Sequence, residues 1–214
     1  MIGIDIYFDM DGTLAYFNNN ISGIEDLLEP NYFYNLAPIE NMVQCVNTLL
    51  ATQENDINIY ILSSCINEDA KRQKNMWLDE HIPLLKKENR IFLSLSENKS
   101  DYVINKENLN LLIDDYNSNL IEFGNHKNFI PIKVVNDIND IHQTWTGERL
   151  YYTQSPFSLM IRIKQIFIQE MCKLYDISPF SSIEQRKVHN EMANRNTQNA
   201  EKSLERTKEN FVEK

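Results

Sequence analysis

The sequence predicts an α/β fold in which helices cover both faces of a parallel, doubly wound sheet. Short apolar runs that are typical of buried strands alternate with helical stretches through residues 1–150. Polar or acidic residues directly follow several of these runs. Ligands of such sheets bind at the carboxyl ends of the strands. We therefore expect the functional residues to lie along that one edge.

Each predicted element rests on its own segment of this alternation. The apolar runs fit strands, the stretches between them fit helices, and a polar segment after the third strand fits a helical turn. In chain order we expect a strand at 4–8, a small insertion at 15–38, a helix near 39–52, a strand at 57–62, a helix near 69–79, a strand near 90–93, a helical turn around Lys99, and strands at 109–113 and 130–135.

Two carboxylates, Asp9 and Asp11, end the first predicted strand, and Gly12 follows them. A strand end would hold Asp9 rigidly for in-line attack on phosphorus, with Asp11 close enough to handle the proton of the leaving group. A plain hairpin turn at Asp-Gly is the alternative for this segment taken alone. A calcium loop does not fit, because Thr13 and Leu14 occupy positions where it needs an oxygen ligand and a glycine.

Three further segments carry the other groups that attack on phosphorus needs: phosphate-binding donors, a cation and metal ligands. Ser63 and Ser64 follow the second strand, where hydroxyl and N–H donors could bind phosphate oxygens. Lys99 could screen charge on a transferred group. Asp114 and Asp115 repel each other unless a cation lies beside them, and Mg²⁺ is the hard cation that carboxylates suit.

Each of these segments also has an ordinary structural alternative. The serine pair could cap the N-terminus of a helix. The lysine could be a solvated surface charge, and the acidic pair could form a turn followed by a helix cap. However, all four features stand at predicted strand ends, in an order that a parallel sheet would bring together. The coincidence favours a catalytic site.

The order of these motifs resembles that of the haloacid-dehalogenase-like phosphohydrolases. Within that superfamily the chain most resembles the cytosolic type C pyrimidine 5′-deoxynucleotidases and their bacterial and phage relatives. The resemblance does not include the tail. It rests on the segments 9–17, 29–38, 61–64, 77–83, 90–92, 98–102, 112–116 and 145–147.

The resemblance implies a role for each motif. Asp9 would be the nucleophile that becomes phosphorylated, and Asp11 the general acid that later acts as the base. Ser63, with Ser64 as a second candidate, would bind the phosphoryl group, and Lys99 would neutralise it.

The resemblance also implies a magnesium ion. The Asp9 carboxylate, the Asp11 backbone carbonyl and the acidic pair would hold it. Asp114 is the first choice for the direct ligand, since it is the first acid after the strand, and Asp115 is the second choice.

The insertion at 15–38 is too short for a large lid, but it contains several aromatic residues. Phe17 and Phe33 are candidate contacts for a nucleobase, because aromatic faces stack on bases. The alternative is that these rings form the core of the insertion itself.

The chain departs from the pattern of its relatives at residues 134–140. The relatives have a glycine-containing stretch there, and this chain has no glycine. The difference affects the expected geometry of the loop and the expected substrate preference.

Composition limits the partners and the compartment. The chain has 214 residues, 42% of them hydrophobic, and a formal charge of −10. The charge argues against gripping a nucleic-acid polymer. The start shows no secretory pattern and no apolar run reaches ~18 residues, so we expect a cytoplasmic protein that does not enter a membrane. The three cysteines and four histidines show no disulfide, zinc or relay spacing.

Residues 151–214 are predicted to form a helical extension to the catalytic domain at 1–150. An apolar, helix-period stretch at 159–168 should pack on a neighbour, and Ser181 with Glu184 fits a capping box. The mixed-charge helix that follows has a thin apolar stripe. It is either a solvated extension or a surface for a partner, including a second copy in a homodimer.

The leading hypothesis is a magnesium-dependent phosphomonoester hydrolase, a 5′(3′)-deoxyribonucleotidase that dephosphorylates nucleoside monophosphates through an aspartyl phosphate. One alternative keeps the chemistry but changes the substrate to another small phosphate ester. The other is a nucleotide-binding interaction module that uses the helical tail. The presence of both Asp9 and Asp11 argues against a pure binder, which needs no acid beside a nucleophile.

Overall fold

The computed structural model describes residues 2–17, 23–52, 56–139 and 144–175. Within these residues, six strands form one sheet in the order β3-β2-β1-β4-β5-β6, and every neighbouring pair is parallel. The strands are β1 (Ile4–Phe8), β2 (Ile57–Cys65), β3 (Arg90–Ser94), β4 (Leu109–Asp114), β5 (Phe129–Val135) and β6 (Glu148–Tyr151). The helices are α1 (Glu40–Thr52), α2 (Glu68–His81), α3 (Asn117–Phe123) and α4 (Pro156–Leu174).

The predicted doubly wound α/β class is confirmed, because helices pack on both faces of this sheet. Alternate side chains of β1 point to opposite faces, as the pleat requires. Ile6 and Phe8 lie in the larger core cluster with residues of α1, α2 and α4, whereas Tyr7 lies in the smaller cluster with residues of α3. The central strand is therefore buried on both sides.

The register of the central strands places their carboxyl ends at one level. Phe8 of β1 pairs with Ile61 of β2 on one side and with Ile113 of β4 on the other. The backbone N–H of Asp9 donates a hydrogen bond of 2.9 Å to the carbonyl of Ile113. The residues that follow these three positions consequently meet at the same edge, as the sequence predicted.

The second strand is longer than predicted. It continues to Cys65, so Ser63 and Ser64 lie inside β2 and do not follow it. The N-cap of α2 is Asn67, whose side chain accepts a hydrogen bond of 2.8 Å from the N–H of Ala70. The serine pair therefore does not cap this helix.

The insertion at 15–38 closes at its base. Ala15 forms an antiparallel bridge with Pro38, and the N–H of Tyr16 donates to the carbonyl of Ala37 at 2.8 Å. Its described part contains one short 3-10 helix, Ile24–Leu28. The two ends of the insertion thus leave the sheet together, beside the turn that carries Asp11.

Helix α4 packs on the main core together with α1. Its buried apolar side chains join the larger cluster, and Ser155 caps the start of the helix, because its hydroxyl accepts from the N–H of Ser158. The boundary that we predicted at residue 150 falls within β6, so the division into two domains stays a prediction. The buried residues of α4 are Leu159, Met160, Ile163, Lys164, Ile166 and Phe167.

Among the strands and α-helices of the described residues, two were not predicted, α3 and β6. Both are short, and β6 is an edge strand with Glu148 and Arg149 in its first half, which gives no apolar run. The capping box at Ser181 and the helix proposed after it lie outside the described residues. Among the helices of the described ranges, none combines the length and apolarity needed to cross a membrane.

Replacing Ile163 by alanine should lower the free energy of unfolding by about 2 to 5 kcal/mol, because the shortened side chain leaves a cavity in the main core. Urea denaturation of the purified protein measures this change. The matched control is Lys173→Ala on the same helix, where the side chain is exposed. It should stay within about 0.5 kcal/mol of the wild type. An unchanged free energy for Ile163→Ala would contradict the packing of α4 on the core.

Candidate active site

The predicted site residues converge on the carboxyl edge of the three central strands. Asp9 directly follows β1, Ser63 lies near the end of β2, and Asp114 is the last residue of β4. All three side chains are buried. This convergence follows from the parallel register, since each residue stands one to two positions beyond a paired core residue.

Lys99 joins two of the acids. Its ammonium nitrogen lies 2.6 Å from Asp9 Oδ1 and 2.6 Å from Asp114 Oδ2. The residue begins a 3-10 helix, Lys99–Tyr102, and its side chain is only 2% exposed, so it is not a solvated surface charge. Burial alone would lower the pKa of Lys99, but the charges of Asp114 and Asp9 outweigh burial and raise that pKa. The ammonium therefore stays protonated between the two carboxylates.

Asp9, Asp114 and Asp115 form a compact acidic group. One carboxylate oxygen from each lies within 4.8 Å of the other two. Burial, together with the charges of Asp114 and Asp11, raises the pKa of Asp9 to about 6 although Lys99 opposes this shift. Burial and the charges of Asp114 and Asp9 raise the pKa of Asp115 to about 7. The group thus carries more negative charge than Lys99 alone can balance.

The two adjacent acids differ in their surroundings. Asp114 accepts hydrogen bonds from Lys99, from the N–H of Tyr116 at 2.7 Å and from the side chain of Asn119 at 2.9 Å. Asp115 is half-buried and faces the turn at Gly12. Its carboxylate accepts only two hydrogen bonds from the described residues, and both are longer than those to Asp114: 3.4 Å from Asn136 and 3.3 Å from Asn139. Both acids fit the predicted metal site. The choice of Asp114 as the direct ligand stays a prediction.

Gly12 is required at its position for two reasons. Its φ is +77°, a conformation that residues with a Cβ atom rarely adopt. In addition, a Cβ atom there would lie 2.3 Å from Asp115 Oδ2. The glycine after the two acids therefore allows the first turn to approach the acidic pair.

Two asparagines hold the turn at Gly12 close to the acidic pair, and the sequence analysis did not identify them. The side chain of Asn136 donates to the carbonyl of Gly12 at 2.8 Å, and that of Asn139 donates to the carbonyl of Asp115 at 3.1 Å. Asn136 also closes its own turn by accepting from the N–H groups of Ile138 and Asn139. Side-chain amides thus hold the loop in which the sequence lacks the expected glycines.

Lys74 is the main functional candidate that the sequence reasoning missed. Its ammonium lies 2.7 Å from Asp11 Oδ2, 3.0 Å from Ser63 Oγ and 2.7 Å from the carbonyl of Ser64. The side chain is fully buried on α2. A signal did exist: Ala70, Lys74, Trp77 and Leu78 recur at the spacing of one buried helix face, where a lysine is out of place.

The two aromatic candidates lie in different environments. Phe33 is 3% exposed, belongs to the main core cluster and has its ring centroid 4.9 Å from the ammonium of Lys74. Phe17 is half-buried at the end of a described segment. The alternative placed these rings in a core of the insertion itself, whereas Phe33 packs in the main core of the domain. A role for either ring in binding a base stays a prediction.

The fold is similar to that of a haloacid-dehalogenase-like hydrolase of known structure. A structure from Burkholderia xenovorans LB400, described as a haloacid dehalogenase-like hydrolase, superposes with a TM-score of 0.52. The two sequences are 11% identical, and the match covers 78% of this chain and 99% of that one. The HAD domain of effector protein Lem4 from Legionella pneumophila gives a TM-score of 0.40 at 14% identity, over 78% of this chain and 95% of that one.

Residues 24–146 match the family described as 5′ nucleotidase, deoxy (Pyrimidine), cytosolic type C protein. The chain belongs to this family, which confirms the resemblance seen in its motifs and makes it a phosphatase of the 5′-nucleotidase class. The matched range includes Ser63, Lys99 and the acidic pair, and it begins after Asp9 and Asp11. No curated protein sequence matches the chain significantly.

Replacing Asp115 by asparagine should make the metal-free protein more stable at pH 8, by an amount on the order of 1 to 3 kcal/mol. The folded protein holds the proton of Asp115 up to a pKa of about 7, whereas the unfolded chain releases it near ~4. Wild-type stability therefore falls as the pH rises between these values, and the variant lacks this loss. Urea denaturation in chelator at pH 5 and pH 8 measures the difference.

The control for this measurement is Asp56→Asn, at an exposed carboxylate near the opposite edge of the sheet. It should follow the wild type at both pH values. If Asp115→Asn is no more stable than the wild type at pH 8, the acidic group does not resist ionisation.

Proposed function

We propose that this protein is a magnesium-dependent 5′-nucleotidase that removes phosphate from deoxyribonucleoside monophosphates through an aspartyl-phosphate intermediate. The observation that carries the proposal is the buried group in which Lys99 lies 2.6 Å from both Asp9 and Asp114. An oriented carboxylate beside a fixed cation suits attack on a phosphate ester. Family membership supports a nucleotide as the ester.

The acidic group fits a magnesium ion. Asp9, Asp114 and Asp115 offer oxygen atoms within 4.8 Å of one another, and oxygen is the ligand that Mg²⁺ prefers. Burial first, and the charges of the neighbouring acids second, raise the pKa values of Asp9 and Asp115, and a divalent cation bound there would offset that negative charge. Asp9, the backbone carbonyl of Asp11 and the acidic pair would hold the ion. Bound there, it would neutralise charge on the phosphate and polarise its oxygens.

In the first step, an oxygen of Asp9 forms a bond to phosphorus while the bond from phosphorus to the ester oxygen breaks. The electron pair of the broken bond stays on the ester oxygen, which takes a proton from Asp11. The released nucleoside carries that proton, and Asp11 becomes a carboxylate. Lys99 balances charge on the transferred group, because its ammonium is fixed beside Asp9.

In the second step, Asp11 acts as the base. A water oxygen attacks phosphorus, and Asp11 takes a proton from that water. The bond between phosphorus and Asp9 breaks, its electron pair returns to the Asp9 carboxylate, and inorganic phosphate leaves. Splitting one hydrolysis into two steps lowers the barrier of each.

Ser63 and Ser64 would contact the phosphoryl oxygens. Ser63 is buried beside Lys74, and Ser64 is half-buried at the end of the same strand. Hydroxyl and N–H donors at a strand end suit an anion that arrives between Asp9 and β2. The formal charge of −10 opposes the binding of a nucleic-acid polymer, so the proposed substrate is a small nucleotide.

One observation favours a second candidate, a phosphatase for another small phosphate ester. Phe33 exposes only 3% of its surface, which leaves little of its face for stacking on a base. Phe17 then remains the candidate base contact within the described residues.

The proposal also includes a location and a partner. A cytoplasmic location agrees with the family description. Association of two copies through residues beyond 175 remains an expectation.

Phosphate release should be detected from deoxyribonucleoside 5′-monophosphates in the presence of Mg²⁺ and should disappear in excess chelator. Asp9→Asn should lower the rate by at least about 10³-fold, because it removes the nucleophile. A malachite-green assay over deoxy- and ribonucleoside 5′- and 3′-monophosphates and simple sugar phosphates measures both effects.

Asp101→Asn is the matched control, since it removes an exposed carboxylate of the same type. It should keep the wild-type rate. Release from sugar phosphates alone would favour the second candidate, and no release from any ester would contradict both.

A further inference from the structure

We propose that Lys74 is a positioning residue for proton transfer, which holds one oxygen of Asp11 so that the other faces the leaving oxygen of the substrate. This inference rests on the proposed function, because it assigns a task to a buried cation that the chemistry above does not use. Lys74 touches Asp11 and Ser63 and lies outside the group that surrounds Lys99.

The ammonium of Lys74 is fixed from several directions. It lies 2.7 Å from Asp11 Oδ2, 3.0 Å from Ser63 Oγ and 2.7 Å from the carbonyl oxygen of Ser64. The side chain has no exposed surface, and the ring of Phe33 lies on it with a centroid distance of 4.9 Å. A cation with this many fixed contacts can hold a carboxylate in one orientation.

The second oxygen of Asp11 supports the inference independently. Asp11 Oδ1 is buried and has no hydrogen-bond partner among the described residues. A buried carboxylate oxygen without a partner is costly and marks a place that a ligand or a reacting group fills. With Oδ2 held by Lys74, Oδ1 is the oxygen that can give its proton to the ester oxygen in the first step.

The charge of Lys74 also suits the direction of that transfer. Asp11 becomes negative as it releases its proton, and the ammonium at 2.7 Å stabilises the charge that develops. The bonds from Lys74 to Ser63 and Ser64 join the acid to the strand that would bind the phosphoryl group. Proton donor and phosphate site are therefore kept at a fixed distance.

The test compares two leaving groups. A nucleoside oxygen needs a proton to leave, whereas p-nitrophenolate is a stable anion and leaves without one. The ratio kcat/KM reports only the steps through release of the leaving group, so the later role of Asp11 as a base does not affect it. A residue that acts through the general acid should matter for the first ester and hardly for the second.

Lys74→Met should lower kcat/KM for a deoxyribonucleoside 5′-monophosphate by about 10- to 100-fold, and for p-nitrophenyl phosphate by less than about threefold. Asp11→Asn should show the same selectivity and a larger effect. Adding Lys74→Met to Asp11→Asn should change kcat/KM by less than about threefold, because the residue acts through Asp11.

Arg90→Met is the matched control, since it removes another buried cation, on the edge strand β3, whose side chain bonds to Asp79 and to the carbonyl of Leu85 and not to Asp11. Its effect should be the same factor on both esters. Circular dichroism checks folding, and Lys74→Gln is measured in place of Lys74→Met if the latter does not fold.

An equal loss on both esters would overturn the inference, because it would show that Lys74 binds phosphate or supports the fold. An unchanged kcat/KM on both would overturn it as well. These outcomes differ from failure of the proposed function, in which the wild-type protein hydrolyses neither ester.

Discussion

The ion pairs of Lys99 with Asp9 and Asp114 are the interaction on which the rest of this site depends. Three separate segments meet there: the residue after β1, the last residue of β4, and the turn after β3. Two buried carboxylates at this separation would be strongly destabilising without a cation between them. Because Lys99 bonds to Asp9 Oδ1, it also orients the other oxygen of this carboxylate. The same contact therefore offsets the buried negative charge and orients the carboxylate that we propose as the nucleophile.

A second cation gives each of two acids that are only two residues apart its own ion-pair partner. Lys99 contacts Asp9, and Lys74 contacts Asp11, so each carboxylate is oriented by its own ammonium. The turn at Gly12 makes this possible, because it lets the chain pass close to Asp115 without a side chain of its own. Asn136 donates to the carbonyl of Gly12 and fixes that turn from the other side. The backbone of this turn thus sets the positions of the carboxylates, and the two ammonium groups then set their orientations.

The sequence predicted the sheet and its motifs because both follow from local pattern and from the order of strands. It placed Asp9 and Asp114 at one edge, since the parallel register of β1 and β4 leaves them little freedom, and it placed Lys99 there from the order of the motifs. It missed Lys74 although the spacing of the apolar residues places this lysine on the buried face of α2, because that spacing does not show which carboxylate the lysine contacts. It missed the asparagine contacts of the loop after β5 for a similar reason: their partners are more than 20 residues away or belong to the backbone. Contacts distant in sequence appear only when the fold is known.

The most direct test of this account is to detect the phosphorylated enzyme and locate the phosphoryl group. A deoxyribonucleoside 5′-monophosphate is mixed with the Mg²⁺-loaded protein, the reaction is quenched with acid within milliseconds, and the intact and digested protein are analysed by mass spectrometry. We expect one added phosphoryl group on the peptide that contains Asp9, and none in Asp9→Asn. Turnover with the phosphoryl group on another residue would contradict the account. So would the absence of an adduct at any quench time when Asp11→Asn, which slows the second step, is mixed with p-nitrophenyl phosphate, whose leaving group needs no proton.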